Sequence, residues 1–500
     1  MKISSKIILT AFGLSILFPR PLLAESPDDF FKRIESEYDS FKTQANESYN
    51  SFRDKVNKQY ADFMEKPWKA VETVKPLAPP DVPEPGPTKV PEDKDPLADP
   101  PAPVTIIETV TTPAPAPQPQ PVEPIAPAPV VPGIEPIRME VYGTKIEIPG
   151  TDFSSFRLRP GDTSSLAQGW RILSQRQTNN LINGCLKVRD ELALPDWHYM
   201  MLLDAVADYL SDGRENEKTM ITAYLLNQSG YDIRLAYERN SGRLHLLFNS
   251  SGILYRRARY KMDNRWYYAL ELPKEPVVVC DFATPGETPL SMAIAKVPKL
   301  DFKPGKTRTV NVHNHPDLVL TMTTNQNLID LLGDYPEAGL TSSENSQWSP
   351  HATMPASDEI RREIYPVLRE AVKGLSQYEA VDLLLRVAQS FPYEYDDKIW
   401  GKDRVFFMDE SWHYPYSDCE DHAINLSHLI HDILGLPTCL VSYPGHLSMG
   451  VAINDGSAKG DYVAYKGRNY TMCDATYFYA PAGSTASSYN NSSAVLIPVN

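Results

Sequence analysis

The segment "CEDHAINLSHLIHDILGLP", residues 419 to 437, gives a clear indication of the fold. Its apolar residues recur at the three- and four-residue steps of a helix with one buried face. Gly435 and Pro437 are the residues that typically end such a helix. Cys419 would then lie in the first turn, where partial positive charge and N–H groups favour a thiolate. Acidic residues flank the cysteine at Asp418, Glu420 and Asp421. Because their charge opposes that effect, a reactive thiol here needs a cationic imidazole.

Two strand-like segments follow the predicted helix. In "TCLVSYPGHLSMGVAI", residues 438 to 453, a Pro-Gly turn puts His446 at the start of the second strand. In "RNYTMCDATY", residues 468 to 477, Asp474 lies near the end of a later strand. A thiol, an imidazole and a carboxylate in this arrangement can act as nucleophile, general base and orienting group. We therefore predict Cys419, His446 and Asp474 as the catalytic residues, with no cofactor and no metal.

Three segments carry a resemblance to a known family: "YPYSDCEDHAINLSHLIHDILGLP", "YPGHLSMGV" and "YTMCDATY". They resemble the transglutaminase-like thiol enzymes, most closely exported transglutaminase-like proteins of Gram-negative bacteria. The clear match covers about residues 391 to 483, and residues 137 to 330 are less specifically similar to the upstream part of such proteins. The resemblance implies a papain-like fold, a helix packed on an antiparallel sheet. It also implies acyl transfer from an amide through a thioester on Cys419, and it does not distinguish hydrolysis from transfer to an amine.

The N-terminus predicts export. Lys2 and Lys6 precede an apolar run from Ile7 to Phe18, and Ala24 offers a cleavage site, so residues 1 to 24 are expected to be a signal peptide. Twelve apolar residues are too few to cross a bilayer core of about 30 Å as a helix. No later segment is longer and equally apolar, so we expect no transmembrane segment in the mature chain. The predicted location is the periplasm, the cell envelope or the medium.

Composition bounds the remaining possibilities. A chain of 500 residues is expected to form two or more domains. Its formal charge of −15 argues against a nucleic-acid partner, because there is no basic excess to neutralise phosphates. Five cysteines are an odd number, so at least one thiol stays free or pairs outside the chain. Cys439 and Cys473 lie on predicted strands of one sheet, where a disulfide and two free thiols both remain open.

The N-terminal third has two unusual segments. Residues 25 to 75 are predicted to be helical, with an apolar stripe rich in Phe and Tyr from residue 31 to residue 63. That stripe predicts packing within the chain, self-association or a protein partner. Residues 76 to 136 contain 21 of the 45 prolines. Such a composition is typical of an extended, disordered polyproline spacer.

The remaining sequence predicts an α+β architecture. Residues 137 to 330 indicate an α+β accessory domain that opens with a β-hairpin, and residues 356 to 500 the transglutaminase-like domain. A capping box at Ser376 and Glu379 predicts the start of a helix. "ENEKTMITAYLLNQSGYDIRLAY", residues 215 to 237, has the same helix–glycine–strand plan as residues 420 to 443. A degenerate repeat without a cysteine and a chance likeness of a common unit both stay open.

Several polar residues have weaker signals. The backbone N–H of Cys419 is the default oxyanion donor, and Trp412, Tyr414 or Tyr416 could add a side-chain donor. His422, His428 and His431 lie on one helix at a spacing that suits a metal poorly, and we expect the last two to face solvent. The pair in "HNHPD", residues 313 to 317, is more typical of a polar strand edge.

The function we predict is an exported thiol-dependent amide hydrolase or acyltransferase that acts on peptide or protein substrates. The acidic residues around Cys419 favour basic or amine-bearing substrates. The alternative hypothesis is a non-catalytic binding scaffold with a vestigial triad.

Overall fold

The computed structural model describes residues 27–79, 87–90, 95, 97, 100–486 and 494–499, so the predicted signal peptide lies outside the described part. About 35% of the chain is helix and 22% strand, which confirms the α+β class. The described residues fall into two compact units. One comprises residues up to Arg53 and Glu123–Ala126, and the other comprises the rest. No described helix combines the length and the apolar character that a membrane crossing requires.

Helix α1 (Pro27–Met64) contributes to both units. In its first part the aromatic stripe is exposed, as at Phe31 and Phe41, so self-association through the stripe remains a prediction. In its last part the stripe is buried in the second unit. There the ring of Tyr60 lies 4.2 Å from that of Trp170, whose indole N–H donates to Asn57 Oδ1 over 3.2 Å. Packing within the chain therefore holds for the C-terminal part of the stripe.

The accessory region, predicted for residues 137 to 330, combines helices with one large sheet. Its helices are α2 (Thr163–Leu173), α3 (Thr178–Glu191), α4 (Asp196–Ser211) and α5 (Glu215–Gln228). Four short strands from the N-terminal third come first, β1 (Lys69–Ala70), β2 (Thr88–Lys89), β3 (Pro103–Val104) and β4 (Ile106–Thr109). The predicted hairpin is formed by β5 (Ile137–Val141) and β6 (Thr144–Ile148). The strands that follow are β7 (Ile233–Glu238), β8 (Leu244–Asn249), β9 (Arg259–Met262), β10 (Arg265–Ala269) and β11 (Val277–Cys280). They form an antiparallel sheet in the order β1-β11-β7-β8-β10-β9.

A hairpin and short helices connect this region to the C-terminal part. The hairpin strands are β12 (Pro304–Asn311) and β13 (Val319–Asn325). The helices are α6 (Gln326–Gly333), α7 (Ser349–Thr353), α8 (Asp358–Glu363) and α9 (Tyr365–Ala371).

The C-terminal part packs helices on a second sheet. Its helices are α10 (Gln377–Gln389), α11 (Asp396–Ile399), α12 (Met408–His413) and α13 (Cys419–Leu434). Its strands are β14 (Thr438–Tyr443), β15 (His446–Val451), β16 (Tyr462–Tyr465), β17 (Arg468–Cys473), β18 (Tyr477–Phe478) and β19 (Ala494–Pro498). The sheet order is β3-β16-β17-β15-β14-β19-β4. The long helix α13 packs on β14 and β15, and the capping box predicted at Ser376 and Glu379 opens α10.

The proline-rich segment closes this second sheet. Val104 pairs with Val463 on β16 at one edge, and Ile106 pairs with Ala494 on β19 at the other. An extended chain advances about 3.3 Å per residue, and Val104 and Ile106 are two residues apart. They can pair with both edge strands because the two edges of the sheet lie close to each other. This differs from the free spacer that its composition indicates. The reason is that the segment offers unpaired backbone groups and a buried Val104 to two open strand edges.

The two sheets have the same topology. In each, a helix leads into a hairpin, a second hairpin lies beside its second strand, and a last strand returns to pair with its first strand. The first set is α5, β7, β8, β9, β10 and β11, and the second is α13, β14, β15, β16, β17 and β19. A shared strand order is what a repeat would produce, and it extends the likeness well beyond one helix and one strand.

The proline-rich segment that pairs with both edges of the second sheet is expected to contribute to stability. Val104→Asp is expected to lower the free energy of unfolding by at least about 2 kcal/mol, because it buries a carboxylate among apolar side chains. Urea unfolding followed by circular dichroism measures the loss. Ile107→Asp, at an exposed position of the same segment, is the matched control and should leave the midpoint unchanged. Equal midpoints for both variants would show that the segment does not seal the sheet in solution.

Candidate active site

Cys419 is the first residue of α13. Asp418 before it is extended, and Gly435 ends the helix in the left-handed conformation with φ of +68°, as its position predicts. The thiol is buried, with 2% of the residue exposed, and it donates to Glu420 Oε2 over 3.1 Å. The sulfur therefore lies at the positive end of a helix and beside a carboxylate, the two opposing influences that the sequence indicates.

His446 and Asp474 form a direct pair. His446 is the first residue of β15, and Asp474 directly follows β17, the antiparallel neighbour of β15. His446 Nε2 and Asp474 Oδ2 are 3.0 Å apart, and both residues are buried. Since Nε2 is bonded to the carboxylate, proton exchange with a further group takes place at Nδ1.

The carboxylate of Asp474 is held in its ionised form. The backbone N–H and the hydroxyl of Thr476 each donate to Oδ1 over 3.0 Å. Burial raises the pKa of Asp474, but the charge of His446 and these hydrogen bonds outweigh it, so the pKa is lowered from its ordinary value. An ionised Asp474 can fix the imidazole and stabilise its positive charge, which is the orienting role predicted for it.

The three predicted residues lie on elements that pack against one another. Cys419 belongs to the same hydrophobic core as Leu447 and Cys473, the neighbours in sequence of His446 and Asp474. The long helix packs directly along β15. The structure thus places Cys419 at the start of a helix, His446 on a strand and Asp474 directly after the neighbouring strand.

Five carboxylates crowd around the start of α13. Carboxylate oxygens of Asp396, Asp418 and Asp421 lie within 4.8 Å of one another, and so do those of Asp403, Asp418 and Glu420. Both oxygens of Asp418 are buried, and no donor among the described residues reaches them. Burial first, and then the neighbouring carboxylates, raise the pKa of Asp418 and of Asp421 well above the ordinary value. Such an oxygen-rich set could hold a hard divalent cation, which would relieve the repulsion.

The sequence prediction of no metal did not identify this group. Asp418, Glu420 and Asp421 are adjacent in the sequence, but Asp396 and Asp403 come from a separate segment that folds back onto the helix start. The available signal is the run of acidic residues itself, which by sequence alone fits equally an electrostatic penalty on the thiol and a preference for basic substrates.

The helix histidines differ from expectation. His428, expected to face solvent, is buried, and its Nε2 bonds to the carbonyl of His351 over 3.1 Å. His422 is buried as well, and burial, followed by the charge of Arg308, lowers its pKa to about 4. The helix is covered on more sides than its apolar periodicity indicates.

His313, expected on a strand, lies in the turn after β12, and its ring centroid is 4.5 Å from that of Tyr479.

The three side chains predicted as possible oxyanion donors differ in burial and in contacts. Trp412 is fully buried on α12, and its Nε1 has no acceptor among the described residues. Tyr416 is exposed, and the ring of Tyr414 meets that of Trp400 edge to face, with 4.8 Å between the ring centroids. Of the three side chains, Trp412 is the one with an unused buried donor.

Cys439 and Cys473 are not joined. Cys439 packs with Val104 in the core enclosed by the closed sheet, whereas Cys473 packs in the core that contains Cys419. None of the five cysteines, all of which lie in the described part of the chain, forms a disulfide, and all five are buried. The sequence left open a disulfide between Cys439 and Cys473 or two free thiols, and the structure has two free thiols.

The accessory sheet lacks the triad at its corresponding positions. The first helix residue is Glu215, the first residue of the hairpin's second strand is Leu244, and the residue after the inner strand is Leu270. The predicted echo of His446, His245, lies one residue further along and bonds through Nε2 to Glu238 Oε1 over 3.1 Å. The positions that correspond to Cys419, His446 and Asp474 therefore hold no thiol, imidazole or carboxylate in that order.

No protein-family model matches this chain, and neither the curated proteins nor the solved structures contain a match to it.

Proposed function

We propose that the protein is a thiol-dependent amide hydrolase or acyltransferase that acts on peptide or protein substrates. The observation that carries the proposal is the buried hydrogen bond between His446 and Asp474, next to a helix that begins at Cys419. A histidine held by an ionised carboxylate beside a thiol is the arrangement that generates a nucleophilic thiolate.

The residues can carry out both halves of an acyl transfer. The Cys419 thiol gives its proton to His446 Nδ1, and the thiolate attacks the amide carbon to form a tetrahedral oxyanion. The intermediate collapses to a thioester when the imidazolium gives that proton to the leaving nitrogen, which departs as an amine. Water or a second amine then attacks the thioester, His446 takes its proton and returns it to the sulfur, and the acid or the new amide leaves.

The oxyanion needs donors close to Cys419. A backbone N–H at the first turn of α13 supplies one, because the first N–H groups of a helix have no partner within it. The buried indole N–H of Trp412, seven residues upstream, supports a second donor. Leaving such a donor unused costs about 1–3 kcal/mol in the resting protein. That cost would be offset when an oxyanion forms.

The wider proposal rests on sequence resemblance. A papain-like, transglutaminase-like fold fits a helix packed on an antiparallel sheet with the three residues in these positions. The segment expected to be a signal peptide supports action outside the cytoplasm. The carboxylates at the helix start support basic or amine-bearing substrates, since a positive group would be attracted to them.

The test is to trap the acyl-enzyme. Purified protein is incubated with peptides that carry internal amides and Lys or Arg side chains, and acid-quenched samples are analysed by mass spectrometry. We expect an acyl adduct on Cys419 and release of an amine, with both absent in Cys419→Ala. Turnover that persists in Cys419→Ala would contradict the proposal.

A binding scaffold with a vestigial triad is the second candidate. The observation that favours it is the accessory sheet, which has the same topology but no triad. Under this hypothesis Cys419→Ala binds its partner and functions as well as the wild type does.

A further inference from the structure

The β12–β13 hairpin contacts the segment that leads into the candidate nucleophile. Arg308, on β12, extends its guanidinium toward residues 411 to 415. Nη1 donates to the carbonyl of Ser411 over 2.8 Å and to that of Tyr414, and Nη2 donates to that of Pro415 over 3.3 Å. One side chain therefore holds the end of α12 and the extended segment that follows it.

These bonds depend on the shape of a guanidinium. Its planar fork can reach several carbonyls at once, which the single ammonium of lysine cannot do in the same geometry. The group also lies 4.6 Å over the ring of Phe391, so its apolar face is covered. Among the described residues, no carboxylate oxygen lies within 4.0 Å of a guanidinium nitrogen of Arg308, so the group has no ion-pair partner there. Burial accordingly lowers its pKa to about 10.

The held segment is short and ends at the nucleophile. Only Tyr416, Ser417 and Asp418 separate Pro415 from Cys419. Ser417 is fixed in turn by a backbone bridge to the segment of Pro392 to Glu394. A displacement of the carbonyls that Arg308 holds would therefore be passed to the first turn of α13 with few bonds able to absorb it.

We propose that Arg308 is a positioning residue that aligns the start of α13, and so the Cys419 thiol, with His446. It does not touch the reacting atoms. Through it the hairpin that follows the accessory sheet controls the reactivity of the C-terminal site. This inference rests on the proposed function, because it concerns the reactivity of that same thiol.

The hairpin has other anchors, so the fold does not depend on Arg308 alone. Thr324 Oγ1 is 2.8 Å from His413 Nδ1, and the backbone N–H of Thr323 donates to Glu363 Oε2 over 3.1 Å. With these contacts retained, Arg308→Ala should remain folded while the segment ahead of Cys419 loses its alignment.

The experiment measures the rate of Cys419 alkylation by iodoacetamide at constant pH, located by peptide mass spectrometry. We expect Arg308→Ala to be slower than the wild type by about 10-fold to 10²-fold, the size of effect that a misplacement of about 1 Å produces. Added guanidinium ion should restore part of the rate, whereas sodium at the same ionic strength should not. Arg308→Lys should be intermediate, and Lys306→Ala, which removes an exposed cation from the same strand, should be unchanged.

The outcomes separate the two proposals. A fast wild-type rate that Arg308→Ala and Arg308→Lys leave unchanged would overturn the positioning role and keep the proposed function. A wild-type rate no faster than that of an ordinary accessible thiol would instead overturn the proposed function itself. If Arg308→Ala does not fold, Arg308→Lys decides, since it retains the charge and loses only the fork.

Discussion

Replacing His446 with alanine is expected to slow the alkylation of Cys419 at pH 6 by about 10²-fold. An ordinary thiol with a pKa of about 8.5 is ionised to only roughly 0.3% at that pH, whereas an imidazole-paired thiol stays largely ionised. The paired thiolate is intrinsically somewhat less nucleophilic, which keeps the ratio near this figure. The measurement is the rate of iodoacetamide labelling of Cys419 across pH 5 to 9, with each labelled thiol identified by mass spectrometry.

The accessory sheet offers a matched control for this variant. His245 is also buried and its Nε2 also bonds a carboxylate, that of Glu238, but it belongs to the sheet whose matching helix begins at Glu215 and not at a cysteine. His245→Ala should therefore leave the pH profile of Cys419 labelling unchanged. A rate that rises only near the ordinary thiol pKa, equally in the wild type and in His446→Ala, would mean that no resting ion pair exists, and the scaffold hypothesis would then be preferred.

Calcium is expected to stabilise the protein against urea, and Asp418→Asn is expected to abolish that effect. Carboxylate oxygens are the ligands that calcium prefers, and both oxygens of Asp418 are buried without a donor. At a free calcium concentration of a hundred times the dissociation constant, the gain in the free energy of unfolding would be about 2.7 kcal/mol. Unfolding midpoints with calcium and with a chelator measure it.

In the presence of a chelator, the effect of Asp418 on stability changes with pH in a definite direction. The pKa of Asp418 is raised in the folded state, so the folded protein holds a proton that the unfolded chain has already released. The contribution of Asp418 to stability is then greatest below the ordinary carboxylate pKa of about 3.9, and it falls as pH rises toward the raised pKa of the folded state. Asp418→Asn removes this loss, so in chelator it should be at least as stable as the wild type at neutral pH.

A variant outside the cluster separates a specific site from general screening. Asp397→Asn removes an exposed carboxylate next to Asp396 and should keep the full calcium effect. If both asparagine variants respond to calcium as the wild type does, the five carboxylates do not form a cation site.

The helix and the His446–Asp474 pair were accessible from the sequence because their signals are local or chemical. The start of α13 at Cys419 and its end at Gly435 follow from apolar periodicity and from the backbone freedom of glycine. The pairing of His446 with Asp474 followed from residue types and their order along the chain, although its distance and its ring nitrogen did not. Neither required knowledge of which distant segments meet.

Other features of the fold depend on contacts between segments that are distant in the sequence. Val104 was assigned to a spacer by its proline-rich neighbours, yet it seals a sheet because two strand edges were left unpaired. Asp396 and Asp403 join the acidic helix start, and Arg308 reaches the segment before it, only after the chain folds back. Sequence patterns specify the local elements and the residue types of the predicted triad, because these depend on near neighbours and on side-chain chemistry. The closed sheet, the carboxylate cluster and the anchor at Arg308 depend on strand register and chain path, which single-sequence patterns do not specify.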